Sequence, residues 1–475
     1  MMQQFIDRDQ ELDFLRKRLD SQRAELILIY GRRRVGKTML LLKLMESARG
    51  VYYLADKRPE AQSMEGLRSS MADFLGDDLF RRARFGSWDE LLGAFAERAG
   101  DQRLVLIIDE FPFLVESNRA LPSILGKVWD TVLSKGKMLV VLCGSSIGMM
   151  EEMMGYGSPL YGRRTAQWQV MPMDGVHLRS FFPQYDPNDL MRTFGTLDMV
   201  PFYLNQFDPR VDYFTNVQER VLDKGSLLYL EPEFLLRQEL REPASYMAIL
   251  RSISLGNTRF NQIMDDSGLE KSLVSKYLSV LEALHIVERV YPVTERQRKR
   301  RALYRLRDNY FGFWFRYVYP NKSLLEQGRK EAVLDLVRKD LDSYLGRVFE
   351  RASAEMLWRH DNMGLLPFRL RELGPWWTGE EEIDLVGHDG SANILFAECK
   401  WGDLRLEEAI DIIEKLVQKR ELMPWKKGKR NEQFCLIARS IEGEQEIAER
   451  GHLAFDLKDF WPPSPRASAP KKGTQ

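Results

Sequence analysis

The sequence predicts an α/β fold built on a doubly wound parallel sheet, and three observations carry that prediction. Short apolar runs at Leu26–Tyr30, Val51–Leu54, Leu104–Ile108 and Met138–Cys143 alternate with amphipathic helical stretches between Phe5 and about Met173. Strands separated by helices pair in parallel, since each crossover covers a sheet face. The first run leads into a glycine-containing turn and then a helix-forming stretch, Met39–Arg49.

With 475 residues the chain is long enough for about three domains. Residues 1–173 hold the parallel sheet. Residues 174–242 read as a small helical lid, broken at Pro183, Pro187, Pro201, Pro209 and Pro232. Residues 243–320 run helix, helix, a turn at Ser267-Gly268, a longer helix from Glu270 to Leu284, and two apolar strands, Ile286–Val290 and Ala302–Leu306. That order is the order of a winged helix-turn-helix. Residues 321–461 form a third, mixed α/β domain. Its helix runs through Tyr344 to Trp358, and its strands lie near Ile383–Val386, Ile394–Ala397 and Phe434–Ala438. Residues 462–475, rich in Pro, Ser, Ala and Lys, are expected to be a disordered tail.

Composition narrows the function classes. Apolar residues make up 44 % and charged residues 29 %, an ordinary globular mixture. Lys plus Arg total 70 and so do Asp plus Glu, so any pull on nucleic acid must come from uneven distribution. Cys143, Cys399 and Cys435 form no CxxC pair, which argues against a disulfide framework or a thiolate zinc site. Met1–Arg18 carries charges throughout, and no apolar run approaches the ~20 residues of a membrane span. We therefore expect no export, no membrane partner, and a cytoplasmic setting.

The turn after Tyr30 reads Gly31-Arg32-Arg33-Arg34-Val35-Gly36-Lys37-Thr38, the GxxxxGKT spacing. Its glycines let backbone N–H groups face phosphates, Lys37 reaches the β- and γ-phosphates of ATP, and Thr38 offers a hydroxyl to Mg²⁺. The run Leu104–Ile108 ends in Asp109-Glu110. An acid at the C-terminal edge of a parallel strand sits by the phosphates, so Asp109 is the expected holder of Mg²⁺ through water. Glu110 is the group expected to polarise the attacking water. Met138–Cys143 ends in Gly144-Ser145-Ser146, which aims the Ser145 hydroxyl at the γ-phosphate or the attacking water. Gly162-Arg163-Arg164 offers Arg163 as an arginine finger, in cis or from a neighbouring subunit of an oligomer; a surface ion pair is the plain alternative.

Two further patterns point to nucleic acid. The loop Arg296-Gln-Arg-Lys-Arg-Arg301 places five cations in six residues between the wing strands, and Lys271, Ser272, Ser275 and Lys276 crowd one end of the preceding helix. Such a loop can neutralise several phosphates, so DNA is the expected partner, with a protein contact module as the alternative. Farther on, Glu382-Ile-Asp384 and Glu398-Cys-Lys400-Trp are strand-like runs with ionisable interruptions. Glu398 and Lys400, two apart, share a strand face. With Asp384 alongside, two carboxylates can bind Mg²⁺ while Lys400 steadies a hydroxide or a scissile phosphate. Parity sets a condition: a plain two- or four-residue turn at Asp389-Gly390 would turn Asp384 and Glu398 to opposite faces. An odd-length loop or a bulge is therefore predicted.

Six stretches together carry a family resemblance: Phe5-Ile-Asp-Arg-Asp-Gln-Glu-Leu12, the GRRRVGKT loop, Leu106–Phe111, Cys143–Ser146, Ser158–Thr165 and Asp308–Asn321. Nearly the whole chain resembles the archaeal-type AAA-related ATPases with a C-terminal domain of unknown function numbered 234. That family is similar to the STAND class of signalling ATPases and is often described as ending in a restriction-endonuclease-like domain. The resemblance implies that Arg8 lies near the adenine and that Pro201 belongs to a helical-lid motif, Gly-Gly-x-Pro. Here that motif reads Leu197-Asp-Met-Val-Pro201, without the glycines. The carboxylate pattern, with Glu350 on the preceding helix, resembles the PD-(D/E)XK nuclease signature, which implies Glu350, Asp384 and Glu398 as metal ligands. Ile383 stands where that signature usually has proline.

The expected protein is thus an ATP-binding and hydrolysing, DNA-associated switch whose C-terminal domain is either a metal-dependent nuclease or a nuclease-like fold that binds DNA without cutting, the plain alternative for its carboxylates being solvated charges on an edge strand. The rival reading is a signalling or scaffold ATPase whose partners are proteins.

Overall fold

A computed structural model describes residues 5–240, 242–294, 302–379 and 381–461. The basic loop Arg296–Arg301 and the expected tail at 462–475 lie outside the described residues. The chain divides into two compact units, Met1–Met173 with Val200–Asn205, and Asp174–Met199 with Gln206–Gln475. The helical stretch read as a lid therefore contributes to both.

The first unit holds five strands: β1 (Glu25–Tyr30), β2 (Gly50–Leu54), β3 (Val105–Asp109), β4 (Leu139–Gly144) and β5 (Ala166–Gln169). They are all parallel, in the order β2-β3-β4-β1-β5. Every residue of β1, β3 and β4 is buried, as a central parallel strand covered on both faces requires. β5 was not foreseen, because its Ala-Gln-Trp-Gln run shows no apolar block. The register Tyr30↔Gly144 and Ile108↔Leu142 brings the ends of β1, β3 and β4 to one edge. Gly31, Asp109 and Ser145 emerge there together.

In the second unit, helices Pro243–Ser254, Phe260–Ser267 and Lys271–Ala283 precede an antiparallel pair, β6 (Val287–Val290) and β7 (Leu303–Leu306). The helix Lys330–Asn362 follows, about 50 Å long at the α-helical rise. Val333, Val337, Leu341, Leu345, Val348 and Ala352 recur along its buried stripe at the spacing of one helix face. Beyond it stands a mixed sheet of β8 (Glu372–Thr378), β9 (Glu381–His388), β10 (Asn393–Leu404), β11 (Asn431–Ile441) and β12 (Leu453–Phe455), in the order β12-β11-β10-β9-β8. β10 pairs antiparallel with β9 and parallel with β11, whose crossover is the helix Leu406–Lys419. Ile383, Val386, Phe396, Ile413 and Leu436 pack in its core. The three cysteines are buried thiols without disulfides. No helix among the described residues is long and apolar enough to cross a membrane.

Candidate nucleotide and carboxylate sites

The glycine turn leaves β1 under tight geometric demands. A Cβ on Gly31 would lie 2.3 Å from the carbonyl oxygen of Val170, where β5 ends against β1, so only glycine fits. Gly36 opens the helix Lys37–Met45 at φ 95°, and Arg34 takes φ 75°, a conformation L-residues rarely hold outside a constrained loop. Lys37 is buried, and its Nζ donates to the carbonyls of Gly31 at 2.8 Å and Arg32 at 3.0 Å. The loop thus curls around its own lysine.

Asp109 is the hub of the neighbouring strand end. Its Oδ2 accepts from Thr38 Oγ1 at 2.7 Å and from the Tyr52 hydroxyl at 2.8 Å, while its Oδ1 accepts the Glu110 N–H at 2.9 Å. Burial, then the Asp109 charge, holds the Tyr52 phenol well above its ordinary range, so it stays a donor. Glu110 sits at φ 53°, and its Oε2 accepts from the Ser145 hydroxyl at 2.8 Å. The geometry therefore ties Thr38, Asp109, Glu110 and Ser145 into one hydrogen-bonded row across three strand ends.

The sequence did not single out Tyr52. It lies in β2 two residues before the strand end opposite Asp109, and a hydroxyl in an otherwise apolar strand was the signal available. Tyr52→Phe is expected to destabilise the fold by about 1.5–3 kcal/mol, the worth of a hydrogen bond to a charged group. Urea denaturation of the two proteins measures this directly.

Arg8 packs against the loop from the other side. Its guanidinium donates to Glu11 Oε1, the Val35 carbonyl and the Met171 carbonyl, each at 2.8 Å, and it is 5 % exposed. Arg32 donates to the Tyr203 hydroxyl at 3.2 Å, and Arg34 lies 3.9 Å over the Phe202 ring. A Cβ on Gly36 would stand 3.9 Å from Pro201 Cγ. The Pro201–Leu204 turn thus rests on the phosphate loop although its glycines are missing. Arg163, the arginine-finger candidate, forks onto Asp130, with contacts of 2.6 and 3.0 Å.

In the second unit, β9 and β10 run in a register that pairs Leu385 with Ala397 and His388 with Ile394, leaving five residues, 389–393, between the last paired positions. One further step of that register sets Asp384 opposite Glu398. The loop length is odd, and β9 also gains one residue against β8 between Val386 and Ile383. The odd length is one of the two alternatives that parity allowed; the extra residue lies on the β8 side of β9 and does not alter its pairing with β10. Lys400 Nζ lies 2.7 Å from Glu398 Oε1 and 3.8 Å from Asp384 Oδ2, and the Cys399 N–H donates to Asp384 Oδ2 at 2.8 Å. Lys419 Nζ, on the crossover helix, approaches Glu398 at 3.7 Å. Nothing in the sequence distinguishes it from Lys415 of the same helix.

Burial, then the charge of Glu398, pushes Asp384 up to about 6. Burial, then the charge of Asp384, raises Glu350 to about 7. Glu398 Oε2 is buried without a hydrogen-bond partner, the kind of orphaned acceptor a divalent cation satisfies. Asp384 and Glu398 fit a cation on that ground. Glu350 is differently engaged: Arg305 of β7 stands 3.7 Å from it. Among the described residues, no group of three or more His, Cys, Asp or Glu side chains is disposed to hold a metal.

The raised Glu350 value has a consequence for stability. Below about 4.5, its value in an unfolded chain, the acid is protonated in both states, and folding gains the full benefit of the neutral form. As pH rises toward about 7 the unfolded chain releases its proton first, and native stability falls. In metal-free thermal melts, Glu350→Gln is therefore expected to gain on the wild type steadily between pH 4.5 and 7.

Comparison with known proteins now bears on these sites. Residues 5–193 match the model of an ATPase domain predominantly from Archaea, and residues 314–412 match a domain of archaeal and bacterial proteins of unknown function. An uncharacterized protein of Methanocaldococcus jannaschii is 34 % identical over 466 residues, covering 96 % of this chain and 100 % of that one. The chain belongs to the archaeal-type ATPases that end in this domain. The first match takes in the phosphate loop and Asp109; the second takes in Glu350, Asp384, Glu398 and Lys400. An uncharacterized ATP-binding protein of the same organism is 51 % identical over 43 residues, 9 % of this chain and 73 % of that one. Among solved structures, the Walker-type ATPase of Pyrococcus abyssi is similar at 21 % identity and a TM-score of 0.49, over 66 % of this chain and 96 % of that one. The match to the ATPase domain takes in the whole parallel sheet of the first unit and runs on into residues 174–193 of the second, which also holds the match to the domain of unknown function.

Proposed function

We propose that this ATPase is a nucleotide-dependent switch that acts on DNA, and that its C-terminal sheet cleaves phosphodiesters with a divalent metal. The observation that carries the reading is the gathering of Asp384 and Glu398 around Lys400, whose Nζ lies 3.8 Å from the first and 2.7 Å from the second. Chance charges on a sheet edge would be solvated, whereas Glu398 is 8 % exposed.

In the first unit, Lys37 draws the β- and γ-phosphates into the loop, and Glu110, steadied by Ser145, orients the attacking water. Thr38 and Asp109 would hold Mg²⁺, which supplies charge neutralisation on the phosphate oxygens. The contacts of Arg32 with Tyr203 and of Arg34 with Phe202 support a readout: Val200–Asn205 belongs to the ATPase unit, yet the chain on both sides of it belongs to the other. A shift of the loop on nucleotide binding is passed along the backbone.

In the second unit, Asp384 and Glu398 would hold a divalent cation, which supplies an activated water and polarises the scissile phosphate. Lys400 places its ammonium beside both carboxylates, where it can meet the attacking oxygen or the phosphate. DNA approaches through the winged-helix elements. Lys271, Ser272, Ser275 and Lys276 are all exposed on the helix Lys271–Ala283, as phosphate contacts require.

Salt-titrated binding of a DNA duplex tests the partner. Reversal of Arg298, Lys299 and Arg300 to Glu is expected to weaken binding and flatten its salt slope by about 3, near one unit per lost phosphate contact. Unchanged binding and slope would favour a protein-directed scaffold.

A further inference from the structure

Strand β7 and Asp384 of the carboxylate site line one cavity of about 790 Å³, together with Arg289, Arg347, Glu350 and Glu382; Arg305 is the β7 residue that enters its lining beside them. Its wall is a docked hairpin. Val293, next to β6, is 2 % exposed and packs in the core of the C-terminal sheet with Trp376 and Ile383, and its N–H donates to the Pro375 carbonyl at 2.9 Å. From this anchored hairpin Arg305 reaches Glu382 at 3.3 Å and Glu350 at 3.7 Å.

We propose that Arg305 is a latch: it holds Glu350 away from the metal centre of Asp384 and Glu398 until a phosphodiester entering the cavity takes its guanidinium. This rests on the metal-centre reading above. Two carboxylates stand ready, and the guanidinium of Arg305 stands 3.7 Å from the third. Guanidinium binds phosphate through two parallel hydrogen bonds, so an incoming strand competes for Arg305 more effectively than a single carboxylate does. Once Arg305 turns to the phosphate, Glu350 is released toward Asp384, which lines the same cavity. Substrate then completes the site that cuts it, and metal bound without DNA stays weak. Arg305 is thus a positioning residue, acting through Glu350.

The latch is tested by titrating the full chain with Mn²⁺ at pH 8 without nucleotide or DNA, reading free Mn²⁺ by electron paramagnetic resonance. Uptake lost in Asp384→Asn is assigned to the C-terminal centre, which separates it from Mn²⁺ at Thr38 and Asp109. Arg305→Ala is expected to bind Mn²⁺ at that centre about fivefold more tightly than wild type, the worth of a partly exposed ion pair. Adding Glu350→Gln is expected to return the affinity to the wild-type value, and Arg305→Gln, which keeps most of the side chain's bulk, to match Arg305→Ala. Equal uptake by wild type and both Arg305 variants overturns the latch and leaves the metal centre standing. No Asp384-dependent uptake by any of them overturns both.

Discussion

Lys37→Ala is expected to lower ATP hydrolysis by at least about a hundredfold, equivalent to about 2.7 kcal/mol of transition-state stabilisation. The size of the effect follows from where Lys37 stands. It is buried at the first turn of its helix, its ammonium already drawn into the loop by the Gly31 and Arg32 carbonyls. The same amine can reach a phosphate with little reorganisation, which is the condition under which a fixed charge stabilises a transition state most. A steady-state phosphate-release assay with saturating ATP and Mg²⁺ measures the loss. Because Lys37 packs between backbone carbonyls, circular dichroism and a thermal melt accompany the assay, so that a folded but inactive variant is told from an unfolded one.

Asp384→Ala is the second large effect. On the proposed function, removing a carboxylate that would hold the activating cation is expected to cost at least about a hundredfold in DNA cleavage, since the metal would supply several kcal/mol of charge stabilisation and each 1.36 kcal/mol is a factor of about ten. Metal-dependent cleavage of linear DNA by matched wild-type and variant preparations checks it. Equal cleavage by both would assign the activity to a contaminant. The variant also loses the acceptor of the Cys399 N–H, so a modest fall in stability accompanies the loss of activity.

The nucleotide site was legible in the sequence for a physical reason: each of its parts is a local event. Gly31, Gly36, Lys37 and Thr38 lie in one turn between a strand and a helix, and Asp109 ends an apolar run. What was not legible depended on distant pairing. Tyr52 meets Asp109 only because β2 lies beside β3, and Arg305 meets Glu350 only because the β6–β7 pair lies against the elements of the C-terminal sheet. The edge strand β5 escaped notice because half-exposed positions carry polar residues that read as loop. The carboxylate pair was an intermediate case. Strand parity fixed what the loop between Asp384 and Glu398 had to be, and the five-residue loop at 389–393 meets it.

The central claim is that the nucleotide state of the first unit governs what the second unit does to DNA. The rate of Mg²⁺-dependent cleavage by the full chain, compared among no nucleotide, ADP, ATP and a non-hydrolysable ATP analogue, tests it most directly. The account predicts a rate that differs severalfold between nucleotide states in the wild type and is flat across them in Lys37→Ala. A wild-type rate identical in all four conditions would contradict it.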